Sequence, residues 1–415
     1  MNTPVFCAVA DDDTGATDLA GMLTGEGLRT VLVLDGRPEA WGEGYDAVIL
    51  GTGSRALPPA EAYGWTREAV GRLRSLSPRV IEVKYCSTFD STAEGNIGQS
   101  IDAAMDELGE TFTVALPALP VNGRTTYMGY HFVHGQLLSE SPMRDHPLTP
   151  MRNSNLVSHL QSQTRRRVAS VRHPLTRDAL TACREAGGEI AILDCVSDAD
   201  LESVCAAIAH LPLISGSSAP AMKLPRIWRR EGWWQPQSKT MLQAAGRHGG
   251  CLIVAGSCSE ATRRQNEWFE SRGGYTLVLD PVELIEGRNA PAVPEGRDCL
   301  LRTASSKADI GRVAAYAGGK GLDAASAGLA IANALARTVR EIVERRPPAK
   351  LIVAGGETST AICRELGFGA MEVGRNIEPG VPICYPLGRH RFPVVLKSGN
   401  FGSADFYARA ISSAR

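Results

Sequence analysis

The densest chemistry in this sequence lies at Asp11, Asp12 and Asp13, directly behind the apolar run Val5–Ala10 and ahead of Thr14-Gly15 and a helix-like segment Ala16–Gly25. A six-residue apolar run reads as a fully buried strand. The three carboxylates therefore stand at its carboxyl edge, where open α/β sheets hold their ligands. Neighbouring acids repel, so at least one should have a raised pKa or face a cation or hydroxyl. A helix N-cap on Asp13 or Thr14, with the other acids favoured by the helix dipole, accounts for one or two of the three. It leaves Asp11, at the end of the strand, without a reason.

Further polar groups recur behind other strand-like runs. Ala47–Leu50 leads into Gly51-Thr52-Gly53-Ser54-Arg55-Ala56, a nominal Gly-x-Gly-x-x-Ala that Pro58-Pro59 prevents from opening a dinucleotide-binding helix. The loop is read instead as presenting Ser54 and Arg55, the latter suited to bidentate carboxylate binding. The stretch Lys84–Gly98 gathers a lysine, the hydroxyls of Ser87, Thr88, Ser91 and Thr92, the acids Asp90 and Glu94, and Asn96. This composition suits a polyhydroxylated anion, with Lys84 for charge and Ser87, Thr88 and Asn96 for hydrogen bonds. A loop satisfying its own turns has the same composition. Asn122-Gly123-Arg124-Thr125 and Glu140–Pro150 add Arg124, Asp145 and His146.

Three places in the second half share one design, a buried strand running into small and hydroxyl residues and then a helix. They contain Gly256, Ser257 and Ser259; Gly355, Gly356, Glu357 and Thr358; and Lys397, Gly399, Asn400 and Gly402. Glycine lets a ligand approach the backbone, and the N–H groups of a helix start attract phosphate oxygens. Three such turns on one sheet would cradle a polyphosphate, although each alone is an ordinary cap. A P-loop is absent, since Gly318-Gly319-Lys320-Gly321 lacks both the frame and the hydroxyl. The halves together predict a sugar-acid site and a nucleotide site, the arrangement of a phosphoryl transfer driven by positioning and electrostatics.

Alternating strand-like and helix-like segments must position these groups. The pattern predicts an α/β protein of two α/β domains with mostly parallel sheets and a ligand cleft between them. Residues 1–225 form the first domain, 226–248 a Pro- and Trp-rich linker, and 249–415 the second. Pro117–Leu148 is expected as a functional loop. The formal net charge of −1 gives no field to hold nucleic acid or an anionic membrane. No apolar run reaches the roughly 20 residues that span a bilayer, so a cytoplasmic location is expected. The 10 cysteines are scattered without a Cys-x-x-Cys pair, which suggests reduced thiols and neither a disulfide framework nor a zinc site. His131 and His134 have no third ligand nearby in sequence.

The segments Ala10–Ala16, Lys84–Gly98, Gly123–Thr125, Gly355–Ser359 and Lys397–Gly402 together resemble the four-carbon acid sugar kinase family, in order and over nearly the whole chain. Within it, Lys84–Thr92 and Ser139–Met151 resemble the 3-oxo-tetronate branch; threonate and erythronate kinases usually carry Asp at the position of Cys86 and Leu-Arg at Phe89-Asp90. Asp13 stands where the family usually has Leu. The resemblance implies a substrate-binding first domain, a nucleotide-binding second domain, ATP with a divalent metal such as Mg2+, and transfer to the O4 hydroxyl. On that basis Asp11 or Asp12 accepts or aligns the O4 proton, while Arg55, Lys84 and Arg124 bind the substrate carboxylate. Ser257, Ser259, Gly355–Thr358 and Gly399–Gly402 hold ATP. The expected partners are a small sugar acid and ATP, without nucleic acid or membrane, and self-association into a homo-oligomer stays open. Threonate or erythronate as substrate, an NAD-dependent sugar-acid dehydrogenase using Gly51–Ala56, and a non-catalytic sugar-acid sensor are the competing readings.

Overall fold

The computed structural model describes residues 3–146, 149–236, 249–287, 290–304 and 306–413. The chain divides into two compact units, Met1–Lys239 and Thr240–Arg415.

In the first unit the apolar runs become strands β1 (Phe6–Ala10), β2 (Thr30–Val33), β3 (Ala47–Gly51), β4 (Val80–Lys84) and β5 (Thr113–Leu116). After them come β6 (Arg124–Tyr127), β7 (Tyr130–Val133), β8 (Gln136–Leu137), β9 (Val168–Val171), β10 (Ile190–Leu193) and β11 (Leu213–Gly216). Eight of these lie in the order β2-β3-β1-β4-β11-β5-β10-β9, every pair parallel. All five residues of β1 are buried, as a strand covered by helices on both faces requires. Chain order reverses around β1, which has β3 on one side and β4 on the other. The carboxyl ends of these three strands therefore form the crevice where such sheets bind ligands.

The stretch 117–148, expected as a loop, holds an antiparallel sheet β6-β7-β8. Tyr127 pairs with Tyr130, leaving Met128-Gly129 as a two-residue turn with both φ values positive, 52° and 76°. That is the hairpin geometry whose twist matches the strands. Asp194 holds the tip by accepting from the N–H groups of Met128 (2.7 Å) and Gly129 (3.0 Å). β9 and β11 were also not legible: one is four residues behind an arginine run, and the other ends in Ser-Gly, which reads as a turn. The segment expected as a linker from 226 begins inside a helix, Leu224–Arg230, whose Trp228 is fully buried against Phe6 at 5.8 Å. Pro147, Leu148 and the linker residues 237–248 lie outside the described ones.

The second unit contains β12 (Leu252–Ala255), β13 (Tyr275–Leu279), β14 (Cys299–Thr303), β15 (Leu351–Ala354), β16 (Ala370–Glu378), β17 (Val381–Pro386) and β18 (Val394–Lys397). Their order is β13-β14-β12-β15-β18-β17-β16. The first five are parallel, and β17 runs antiparallel to both β18 and β16. The nine-residue β16 escaped the sequence reading because Gly374, Arg375 and Asn376 interrupt its apolar pattern. β12, β15 and β18 are neighbours, so the three small-residue turns come from three adjacent strand ends. Helices Lys307–Gly319 and Ala324–Arg345 stand over the same end of this sheet and, with it, line one cavity.

Candidate active site

At the crevice of the first unit, Arg55 joins the first two acids. Its Nε and Nη2 each donate to Asp11 at 2.8 Å, and Nη2 also donates to Asp12 at 2.7 Å. The pair after β1 and the loop after β3 are thus locked together, as bidentate Arg–carboxylate geometry does best. Asp12 is also the N-cap of helix Asp13–Gly25, accepting from Gly15 N–H at 3.0 Å and from the Thr14 hydroxyl. The cap therefore falls on Asp12, not on Asp13 or Thr14, because its backbone is still extended (φ −145°) while Asp13 is already helical. Burial raises the Asp11 carboxyl above its ordinary value despite Arg55. Burial also pushes Asp12 upward, but the charges of Arg55 and Lys84 and the bonds from Thr14 and Gly15 outweigh it and hold that carboxyl low. Asp13 packs over Gly51, where a Cβ would stand 2.5 Å from its Oδ1.

Lys84, at the end of β4, is buried and turns its ammonium toward the same helix start. A Cβ on Gly15 would lie 2.3 Å from Asp12 Oδ1 and 3.0 Å from Lys84 Nζ. Only glycine leaves room there for acid and ammonium together. Cys86 lies close enough to feel the Arg55 charge, yet burial and Asp90 keep its thiol neutral, raised to about 12. Its Sγ contacts Thr88 Oγ1 at 2.9 Å, and Thr88 in turn donates to Asp90. Since the Thr88 hydrogen goes to Asp90, the thiol hydrogen points to Thr88.

Other residues expected to contact substrate also hold the loops around the crevice. Asn96 uses its amide nitrogen on the carbonyls of Ser54 (2.9 Å), Arg55 (3.2 Å) and Leu57 (2.9 Å), which fixes the loop that aims Arg55. Ser54 is buried and accepts from Thr52 at 2.9 Å. The void that Ser54, Asn96, Asp11 and Lys84 help to line is about 10 Å³, room for at most one water. Ser54 and Asn96 thus support the loop that carries Arg55. The Ser87 carbonyl accepts from His131 Nε2 at 2.8 Å, while Thr126 donates to Nδ1 at 3.0 Å. Burial holds this imidazole neutral, near 4, and it ties the hairpin to the Ser87 turn. Arg124 begins that hairpin, with Nη1 on the Asn122 carbonyl and a buried Nε that has no hydrogen-bond partner among the described residues. Asp145 is exposed on the turn Pro142–Asp145, and no bond among the described residues links it to Asp11, Asp12, Arg55 or Lys84.

In the second unit the three turns meet. A Cβ on Gly256 would stand 2.2 Å from Thr358 Oγ1, and one on Gly399 2.2 Å from Ser257 Oγ. Side chains of any size would drive the turns apart. Ser259 caps helix Glu260–Ser271 and donates to the Gly399 carbonyl at 2.6 Å; Thr262 donates to the same oxygen at 2.9 Å. Beneath them Lys397 is buried and donates, among the described residues, to neutral acceptors, Thr262 Oγ1 and the carbonyls of Ser398 and Gly399. Desolvation lowers its ammonium to about 7.

A cavity of about 610 Å³ opens beside these turns, lined by Gly256, Ser257, Gly355, Gly356, Glu357 and Thr358 on one side. Ile310, Val313, Ala317, Ile331 and Leu335 form an apolar wall opposite. Polar backbone at one end and an apolar slot at the other match a nucleotide's phosphates and base. Gly399, Asn400 and Gly402 sit on the third turn outside this lining, and Asn400 is exposed. The wall went unread in the sequence, although Ala327, Ile331 and Leu335 recur at four-residue spacing on one helix face. No group of three or more His, Cys, Asp or Glu side chains arranged to hold a metal occurs among the described residues.

Comparison with known proteins agrees with this division. Residues 6–224 match the model of a sugar-binding N-terminal domain, and residues 252–407 that of a nucleotide-binding C-terminal domain. The 3-oxo-tetronate kinase of Pseudomonas fluorescens is 40% identical, covering 98% of this chain and 96% of its own. The 3-oxo-tetronate kinase of Salmonella typhimurium is 36% identical, covering 97% of each. Among solved structures, a Salmonella typhimurium LT2 protein superposes with a TM-score of 0.83 at 33% identity over 99% of both chains. Haemophilus influenzae protein HI1011 does so with a TM-score of 0.75 at 32% identity, over 97% of this chain and 98% of its own. The chain belongs to the four-carbon acid sugar kinase family.

Proposed function

We propose that this kinase transfers the γ-phosphoryl group of ATP to the O4 hydroxyl of a 3-oxo-tetronate, giving the 4-phosphate. The observation that carries the reading is the Asp11–Arg55–Asp12 clamp beside the Lys84 ammonium, an anion-binding and proton-accepting pair of functions at one sheet edge. Asp12 is assigned to orient the O4 hydroxyl and take its proton, because its carboxylate is held ionised. Asp11 is assigned to hold the guanidinium in place. Lys84, with Arg124, whose Nε has no hydrogen-bond partner among the described residues, binds the substrate's carboxylate.

The Gly256, Gly355 and Gly399 turns are assigned to the phosphates and the apolar wall to the base. Mg2+ requires few protein ligands when it arrives on phosphate oxygens; Glu357, a carboxylate of the cavity lining, fits that modest need. When bound, the ion neutralises charge on the transferring phosphoryl. The uncharged Cys86 thiol beside Arg55, bonded to Thr88, supports the oxo acid over a plain tetronate, since Cys86 adds no charge to the site. The test is ADP release with Mg-ATP over 3-oxo-tetronate, threonate and erythronate isomers, with NAD(H) turnover as a control. Activity only on a plain tetronate would refute the substrate assignment, and silence on every acid would refute the reaction.

A further inference from the structure

Behind the acid–arginine clamp the first unit buries a second layer of acid that the assigned chemistry does not use. Glu82 stands on β4 two residues before Lys84 and therefore on the same face of the sheet. It is fully buried between Ala8 of β1 and Ile214 of β11, and neither carboxyl oxygen has a hydrogen-bond partner among the described residues. Helix Asp13–Gly25 covers this face, since its Gly15 lies against Lys84 Nζ. Asp18, one turn further, takes a bond from the Ser218 hydroxyl on one oxygen, and its Oδ1 has no partner among the described residues.

A buried carboxylate without a partner is costly, so Glu82 is retained as the neutral acid. Burial raises it to about 8, against the pull of Lys84. The titratable groups that sense it are few. Lys84 follows it on β4 and Tyr85 just after the strand, and Cys205 faces it from helix Asp198–Ile208, with its thiol pushed up by burial. Lys223, near Cys205, forms an ion pair with Asp198 at 2.7 Å. Asp12 and Asp18 reach the same region through Lys84, the first held low and the second raised by burial.

We propose that Glu82 is a positioning residue for Lys84: protonated, it leaves the ammonium's charge to the anionic sugar acid, and ionised, it draws that charge back into the sheet. The inference rests on the assignment of Lys84 as a ligand of the acid. Ionisation of Glu82 places a negative charge behind the cation that the substrate needs. The KM for the acid should therefore rise on the alkaline side while kcat changes little, because the O4 and phosphoryl groups are handled elsewhere.

The experiment is steady-state kinetics at pH 7 and pH 9 on the full chain, its Glu82→Gln variant and its Lys84→Met variant, with saturating Mg-ATP. In the parent the KM for the acid should rise about tenfold between the two pH values, the scale of coupling between Glu82 and the bound anion. Glu82→Gln keeps the shape of the neutral acid and cannot ionise, so its KM ratio should fall to about 1, the loss of that whole coupling. A parent KM that does not rise, or a Glu82→Gln variant that keeps the full rise, overturns the inference. Lys84→Met separates the two layers: an unchanged KM removes Lys84 as a ligand of the acid and with it the ground of the proposal. A raised KM in that variant together with a persistent alkaline limb in Glu82→Gln condemns only the role of Glu82. If Glu82→Gln does not fold, Glu82→Met carries the same comparison. Infrared spectra of the parent with 13C-labelled glutamate should also contain a protonated carboxyl band at pH 7 that disappears by pH 9. Absence of that band overturns the proposal independently of any variant.

Discussion

Replacing Arg55 by Met removes the one group that holds Asp11 and Asp12 together. Three hydrogen bonds of 2.7 to 2.8 Å are lost, and two adjacent carboxylates keep only the charge of Lys84 nearby. Breaking a buried ion pair from one side costs about 3–5 kcal/mol. The acids here keep 16% and 25% of their side-chain surface exposed, which argues for the lower end, about 3 kcal/mol. With a urea slope of about 2–3 kcal/mol/M, the unfolding midpoint of the first unit should fall by about 1 M at pH 7.5. Trp228 and Trp234 are buried in that unit, so tryptophan fluorescence follows its unfolding.

The pH dependence gives a second handle on the same variant. Without Arg55 the Asp11 carboxyl, already raised by burial, is raised further. A carboxyl that binds its proton more tightly in the folded chain gains stability as pH falls toward its unfolded value, at about 1.4 kcal/mol for each tenfold gain in proton affinity. The variant should therefore recover most of its deficit by pH 5. In the parent Asp12 is held low, so its contribution to stability lasts to more acidic pH and does not blur the comparison. Equal midpoints at pH 7.5, or a deficit of the same size at both pH values, would refute the clamp.

Two further outcomes follow from the same geometry. Asp12→Asn keeps an N-cap of nearly equal quality and leaves Arg55 paired with Asp11, so it should cost less than the roughly 3 kcal/mol of the Arg55 variant while kcat falls by about 10²–10⁴-fold, the scale of a lost general base; unchanged turnover removes Asp12 from the mechanism. Gly256→Ala places a Cβ 2.2 Å from Thr358 Oγ1 and should weaken ATP at least about tenfold in a fluorescent-nucleotide titration, with about 1–3 kcal/mol of overpacking strain. The acid's affinity should be untouched, and an unaltered nucleotide affinity would show that the turns need not approach.

Much of this site was legible because strand ends announce themselves. Asp11, Arg55 and Lys84 each follow a short apolar run, and parallel packing carries such ends to one edge without any knowledge of which strands are neighbours. The three glycine turns of the second unit were legible for the same reason. Side-chain direction was not. Asn96 has the composition of a ligand, yet its amide is turned onto three carbonyls, and only the folded loop reveals that. The apolar wall and Glu82 were hidden for opposite reasons. Ile331 and Leu335 look like ordinary core residues, while a single Glu among Val, Ile and Val looks like the exposed position of an alternating strand. The hairpin was missed because Met128 stands where asparagine or glycine usually marks such a turn.

Gln265 gives the second unit a property beyond its contacts. From helix Glu260–Ser271 its amide nitrogen reaches the carbonyls of Phe401 (3.0 Å), Gly402 (3.0 Å) and Ser403 (3.1 Å). Ser259 and Thr262 grip the Gly399 carbonyl from the same helix. A segment that would otherwise be a flexible glycine loop is fastened at four carbonyls before any ligand arrives. Association with nucleotide then needs little ordering of the chain, a cost that reaches about 1–2 kcal/mol per residue when backbone must be fixed on binding. The nucleotide half should behave as a rigid receptor, with an on-rate set by encounter and a small entropic penalty, so that differences among bound nucleotides appear in how fast they leave.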